Sequence, residues 1–365
     1  MASSVLAHTH KTTGDRFVGE LVLNSPDTLN ALSLEMIQSL SSQLQVWGVD
    51  ERCVCVLITG AGDRAFCAGG DIQALFKAMT ANQQARDLVD DYPTRFFEAE
   101  YRLDYQLHTF PKPVIAFGDG FIMGGGLGVF SGCQYRIVTE KTRLAMPEIT
   151  IGLFPDAGAS QILGRLAKPV ALYLGLTGSQ VRASECLYLS LGTHYVQTCA
   201  DTLLAELVDN PWTLDEVEVV ESVLDQLSQK SSDADSIKLV EQSVHASDDL
   251  RENLAEIDKL PSLQSKFGRG VKSMWTGCPV SLGLVNEQII RSSKLDIADI
   301  LRMELKVATH CAQFTDFHEG VRALIIDKDN QPNWSCNLED ENFESRVAAH
   351  FEAPWQINPL VDLGN

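Results

Sequence analysis

The chain has 365 residues, 45% of them hydrophobic and 21% charged, an ordinary globular composition that can bury a large core as one domain or two. Its formal net charge of −20 argues against general nucleic-acid binding and against adsorption to an anionic membrane, since both need a basic face. No apolar run approaches the ~20 residues of a membrane span.

The first half alternates strand-like and helix-like stretches. RFVGELVLN alternates as a strand, and LSLEMIQSLSSQLQVW carries apolar residues at helical spacing. CVCVLITG is a continuous apolar strand run, and DIQALFKAM reads as a helix after a glycine turn. FFEAEYRLDYQLHTF predicts a helix, PVIAFGDG a strand, GGGLGVFSGC a helix and YRIVTE another strand. This alternation predicts an α/β class with a buried sheet. After about Ala167 the pattern turns helical and charge-dense. NPWTLDEVEVVESVLDQLSQKSSDADSIKLVEQSV predicts acidic helices packed on one side, and GCPVSLGLVNEQIIRSS and DIADILRMELKVATHCAQF read as amphipathic helices. The tail beyond Trp334 has little periodicity, and no repeat recurs at a fixed period. A division near Ser262 is expected, with a core over 1–261 and a helical C-terminal region and tail over 262–365.

Nine cysteines include no Cys-x-x-Cys pair and no Cys/His cluster with zinc spacing, which predicts reduced, structural thiols. The N-terminal MASSVLAHTHKTTGDRF lacks a long apolar segment and is poor in arginine, so a cytoplasmic location is expected.

Three stretches concentrate residues able to do chemistry. In FCAGGDI, Phe66 to Ile72, glycines let a ligand approach the main chain, and a helix starting near Asp71 offers N–H groups to negative charge. A tight strand-to-helix turn is the plainer account. In GDGFIMGGGLGVF, Gly118 to Phe130, a dinucleotide-binding turn fails on spacing, because Met123 stands where the third glycine belongs. Three glycines opening a helix instead expose N–H groups. One from here and one from AGGD would make an oxyanion hole.

The third stretch, AMPEITIGLFPDAGAS, sets Glu148 and Asp156 each after a proline in an apolar run. Burial raises a carboxyl pKa and suits it to acid–base work near neutrality. Alternatively, Asp156 caps the helix continuing through QILGRL. His318 and Tyr101 read as packing residues, and Lys77, Lys112, Lys141, Arg143 and Lys168 as solvated groups within reach of a ligand phosphate.

Together AFCAGGDI, PVIAFGDGFIMGGGLGVF, AMPEITIGLFPDAGAS and DFHEGVRALIIDKDNQPNW resemble the crotonase (enoyl-CoA hydratase/isomerase) superfamily, in order from about Phe17 to Trp334. The last two are closest to its thioester-hydrolase branch. The resemblance implies an α/β spiral of ββα turns with a C-terminal helical region. It makes Gly70 and Gly125 the oxyanion donors, Glu148 the catalytic glutamate, and Asp156 the aspartate that contacts the acyl hydroxyl and supports hydrolysis. Glu100 matches a further acid facing the acyl pocket, and Ala68, Gly69, Gly70 and Asp71 would meet CoA through the main chain. The implied reaction is hydrolysis of a short 3-hydroxyacyl-CoA, 3-hydroxyisobutyryl-CoA, in valine breakdown. CoA enters as part of the substrate, with no separate cofactor and no metal, and a homo-oligomer is left open. One departure discriminates. Hydratases carry a second glutamate shortly after the triple glycine, and here Gly128 stands there. An acyl-CoA isomerase or hydratase, or a non-catalytic acyl-CoA binding protein, are the alternatives on the same fold.

Overall fold

Nine strands form two sheets among the described residues of the computed structural model, which are 3–12, 14–213 and 215–364. The strands are β1 Val5–Lys11, β2 Phe17–Leu23, β3 Cys53–Gly60, β4 Ala65–Cys67, β5 Val114–Gly118, β6 Phe121–Met123, β7 Tyr135–Val138, β8 Arg143–Ala145 and β9 His194–Tyr195. The larger sheet runs β1-β2-β3-β5-β7-β9 and is parallel from β2 onward. β1 pairs antiparallel with β2 at one edge. The smaller sheet runs β4-β6-β8. The alternation in RFVGELVLN suggests one wet face, yet β2 is buried at most positions because the helices Leu34–Val49 and Ala200–Asp209 pack against it. β3 is buried throughout except Gly60, as a continuous apolar run in a parallel sheet should be.

The chain divides into two compact, interleaved units, one of residues 1–70, 103–144 and 181–234 and the other of 71–102, 145–180 and 235–365. In the first, the sheet packs against the helices Ala200–Asp209 and Glu216–Leu227 through Val54, Ile115, Ile137, Leu203, Val220 and Leu224. Helix α1, Leu34–Val49, starts on a Ser33 side-chain cap and turns Trp47 toward Phe17 of β2, ring centroids 6.2 Å apart.

Helices α2 Ile72–Ala85 and α3 Tyr92–His108 follow, with α4 Gly125–Gly132, α5 Ala159–Arg165 and α6 Lys168–Thr177. In the second unit α5 and α6 pack against the helix Pro279–Ser292, and α5 also against Ile297–Gln313. The tail beyond Trp334 forms one short helix, Phe343–Ala349, in otherwise irregular chain. All nine cysteines are free, and eight are buried. Among the described residues no helix is long and apolar enough to cross a membrane.

Candidate active site

In the first unit the two glycine-rich loops leave adjacent strands. β4 and β6 are parallel neighbours with Cys67 opposite Ile122. Gly70 lies three residues beyond Cys67, and Gly125 three beyond Ile122, so both loops emerge at the same end in matching register. The approach is too close for side chains. A Cβ on Gly126 would stand 2.2 Å from the Cys67 carbonyl oxygen, and Gly69, at φ +115°, faces the Met123 carbonyl. Gly125 opens α4, where N–H groups have no acceptor within the helix. Gly70 bridges to Leu32 through a bond from the Leu32 N–H to the Gly69 carbonyl, 2.8 Å, and the Gly70 N–H has no acceptor among the described residues. The arrangement can present two backbone donors to one oxygen. Gly128, the position of the missing second acid, is buried inside α4.

Asp71 alters one expectation. Its carboxylate accepts from the Ala74 N–H at 3.1 Å and so caps α2 itself, placing a negative charge where the helix start would otherwise attract an anion. The basic residues are mostly engaged too. Lys112 donates to the Trp47 and Asp50 carbonyls, Lys141 and Lys168 pair with Asp119 and Asp248, and Arg143 donates to the Glu140 and Thr142 carbonyls. Lys77 lines a cavity of about 330 Å³ with Asp71, Asp90 and Tyr92.

Five carboxyl groups of the second unit are buried: Asp316, which accepts from the Ser335 N–H and hydroxyl, and four others. Glu100, Glu148, Asp156 and Glu304 are 2%, 4%, 6% and 0% exposed. Glu148 heads a single tight turn, Glu148–Ile151, after Pro147. One of its oxygens, Oε2, has no hydrogen-bond partner among the described residues, and neither does Glu100 Oε1. Burial, then the nearby Asp156 charge, pushes the Glu148 carboxyl well above its usual range. Glu100 is pushed up in the same way by burial and by the charges of Asp156, Glu304 and Glu148. Asp156 rises to about 6 through burial, with the Tyr101 hydrogen bond opposing the rise. Asp156 can therefore exchange a proton near neutrality.

Asp156 does not cap the helix after it. Gly158 is the capping position of α5 and provides no side chain, while Asp156 Oδ2 accepts from the Tyr101 hydroxyl at 2.8 Å. The N–H groups of Gly158 and Ser160 are instead taken by Glu304. His318 has the packing role expected of it, stacked on Phe76 and bonded to Thr80.

The predicted residues thus fall into two groups. Gly70 and Gly125 are neighbours in one unit, with Ala68 and Gly69 in the same loop, and Glu100, Glu148 and Asp156 converge in the other. Tyr101 and Glu304 are additions that motif reading missed. Glu304 carried a signal, because in DIADILRMELKVATH it occupies the buried stripe with Leu301, Leu305 and Ala308.

The family model described as enoyl-CoA hydratase/isomerase matches residues 18–351, and the chain belongs to that family. Among its relatives, the mitochondrial 3-hydroxyisobutyryl-CoA hydrolase of Danio rerio is 36% identical over 324 residues, covering 87% of this chain and 82% of that protein. The Homo sapiens protein of the same name is 33% identical over 348 residues, covering 92% and 86%. A solved carnitinyl-CoA dehydratase from Mycobacterium thermoresistibile, 28% identical, matches the full length of both chains with a TM-score of 0.84. The relatives' names correct one expectation. They are mitochondrial proteins, so the cytoplasmic location inferred from the N-terminal stretch does not stand.

Proposed function

We propose that this chain hydrolyses the thioester of a short 3-hydroxyacyl-CoA, with 3-hydroxyisobutyryl-CoA as substrate and 3-hydroxyisobutyrate and free CoA as products. The observation that carries this reading is the Glu148 carboxyl, buried, raised in proton affinity by burial, and with one oxygen lacking a partner among the described residues. A buried acid so placed is costly unless a ligand uses it. The relatives named for this reaction cover most of the chain. A mitochondrial setting and a place in valine breakdown belong to the same proposal.

The chemistry follows from the residues. The thioester oxygen takes the Gly70 and Gly125 N–H groups, as the matching motif positions imply. Glu148 takes a proton from water as it attacks the carbonyl carbon, or attacks directly to give an anhydride that water then opens. The C–S bond breaks, and the sulfur leaves with the proton. Each backbone donor lowers the barrier by about 2.7–4 kcal/mol. Asp156 accepts the hydroxyl of the acyl group while Tyr101 holds its other side. Hydration of an enoyl-CoA wants a second carboxyl, and the helix offers Gly128 there.

Thiol release from 3-hydroxyisobutyryl-CoA tests this. Wild type should release one CoA per acid formed, and Glu148→Gln should lose 10²-fold or more, on the order expected when a general base is removed. A folded Glu148→Gln protein with full activity would overturn the assignment.

A further inference from the structure

We propose that Glu304 is a positioning residue for Asp156, taking over the cap of α5 so that the Asp156 carboxylate stays free for the acyl hydroxyl. This rests on the role of Asp156 given above. Glu304 lies on the helix Ile297–Gln313, fully buried among apolar neighbours. Both its oxygens are used: Oε2 accepts from the Gly158 N–H at 2.7 Å and Oε1 from the Ser160 N–H at 2.9 Å.

The segment they hold is strained. Ala157 at φ +55° and Gly158 at φ +83° are successive left-handed residues, a conformation an alanine keeps only when its surroundings impose it. Gln288 grips the same segment from the helix Pro279–Ser292, donating to the Pro155 carbonyl and to Ser160 Oγ. Backbone on both sides of Asp156 is therefore clamped.

A local cap would be the ordinary solution, and Asp156 is the local candidate. An aspartate readily bonds the N–H group two residues on, here that of Gly158, while the Ala159 N–H bonds the Asp156 carbonyl oxygen. A carboxylate supplied from about 150 residues away in the chain removes that competition. Asp156 is then left facing Tyr101. Without Glu304, Asp156 swings to cap its own helix and the hydroxyl loses its partner.

Glu304→Gln keeps the volume but offers one acceptor to two N–H groups, with its NH₂ opposing the other. The experiment compares kcat/KM for 3-hydroxyisobutyryl-CoA and isobutyryl-CoA in wild type, Glu304→Gln and Glu304→Asp, each checked for folding by circular dichroism. Glu304→Gln should lower the preference for the hydroxylated substrate by about tenfold or more. Adding it to Asp156→Asn should change that preference no further. If Glu304→Gln does not fold, Glu304→Asp, with two acceptors on a shorter arm, gives the same reading. Equal losses on both substrates mean a purely structural cap and overturn the inference while leaving the proposed hydrolysis intact. A wild type that hydrolyses both without preference removes the role of Asp156 and the inference with it. A wild type that releases no thiol overturns the functional reading itself.

Discussion

Removing one oxygen from Tyr101 tests the chemistry of Asp156 with little disturbance to packing. The ring of Tyr101 is fully buried beside Phe97, and its hydroxyl donates to Asp156 Oδ2 at 2.8 Å. Tyr101→Phe keeps the ring and deletes the bond. Burial raises Asp156 from 3.8 to about 6, a bias of about 3 kcal/mol against its ionised form, and the Tyr101 bond is the main force opposing it. A hydrogen bond to a charged acceptor contributes about 1.5–3 kcal/mol, so its loss should raise Asp156 by roughly one to two further pH units. The acid limb of kcat/KM for 3-hydroxyisobutyryl-CoA should move to higher pH by that amount. Stability should follow the same sign. A carboxyl raised in the folded state contributes stability that is complete below its unfolded pKa and is lost as pH rises through the folded value. Tyr101→Phe should therefore destabilise more at pH 8 than at pH 4 by urea denaturation. An acid limb that stays in place, with equal destabilisation at both pH values, would refute the pairing.

Two other substitutions probe the rest of the account. Gly126→Ala would force a methyl to within 2.2 Å of the Cys67 carbonyl. It should cost about 1–3 kcal/mol and displace the start of α4, lowering both the melting temperature and kcat, and wild-type values for both would contradict the proposed closeness of the two loops. Glu148→Gln removes an acid that burial holds well above its usual range. By the same sign rule it should melt higher than wild type at pH 8, by roughly 1–2 °C if about 1 kcal/mol is gained, with little difference near pH 4. Calorimetry showing no gain at pH 8 would mean the Glu148 carboxylate is better solvated than its burial implies.

Local signals were well preserved in the sequence. The parallel strands β2, β3, β5 and β7 and the helices α1 to α5 fall where periodicity and glycine turns put them, because each is written by neighbouring residues. Glu148 and Asp156 were legible for a related reason, two acids in apolar company after prolines, and both are buried. β1 was passed over, since its pairing with β2 is all that makes Val5–Lys11 a strand and four of its seven residues, Ala7, His8, Thr9 and Lys11, are exposed. What holds the start of α5 was not legible, because local reading offers only Asp156 as an alternative cap, whereas Glu304 comes from a helix far along the chain. A buried acid on an apolar helical stripe was the available sign. Glu100 and Glu304 both show it, on α3 and on Ile297–Gln313.

Partition between hydrolysis and hydration tests the central claim most directly. Wild type should be given 3-hydroxyisobutyryl-CoA, with free thiol followed, and in parallel crotonyl-CoA, with loss of the enoyl absorbance followed. The account expects fast thiol release and no hydration, because Glu148 is present and Gly128 carries no second acid. Hydration of crotonyl-CoA without thiol release would contradict it.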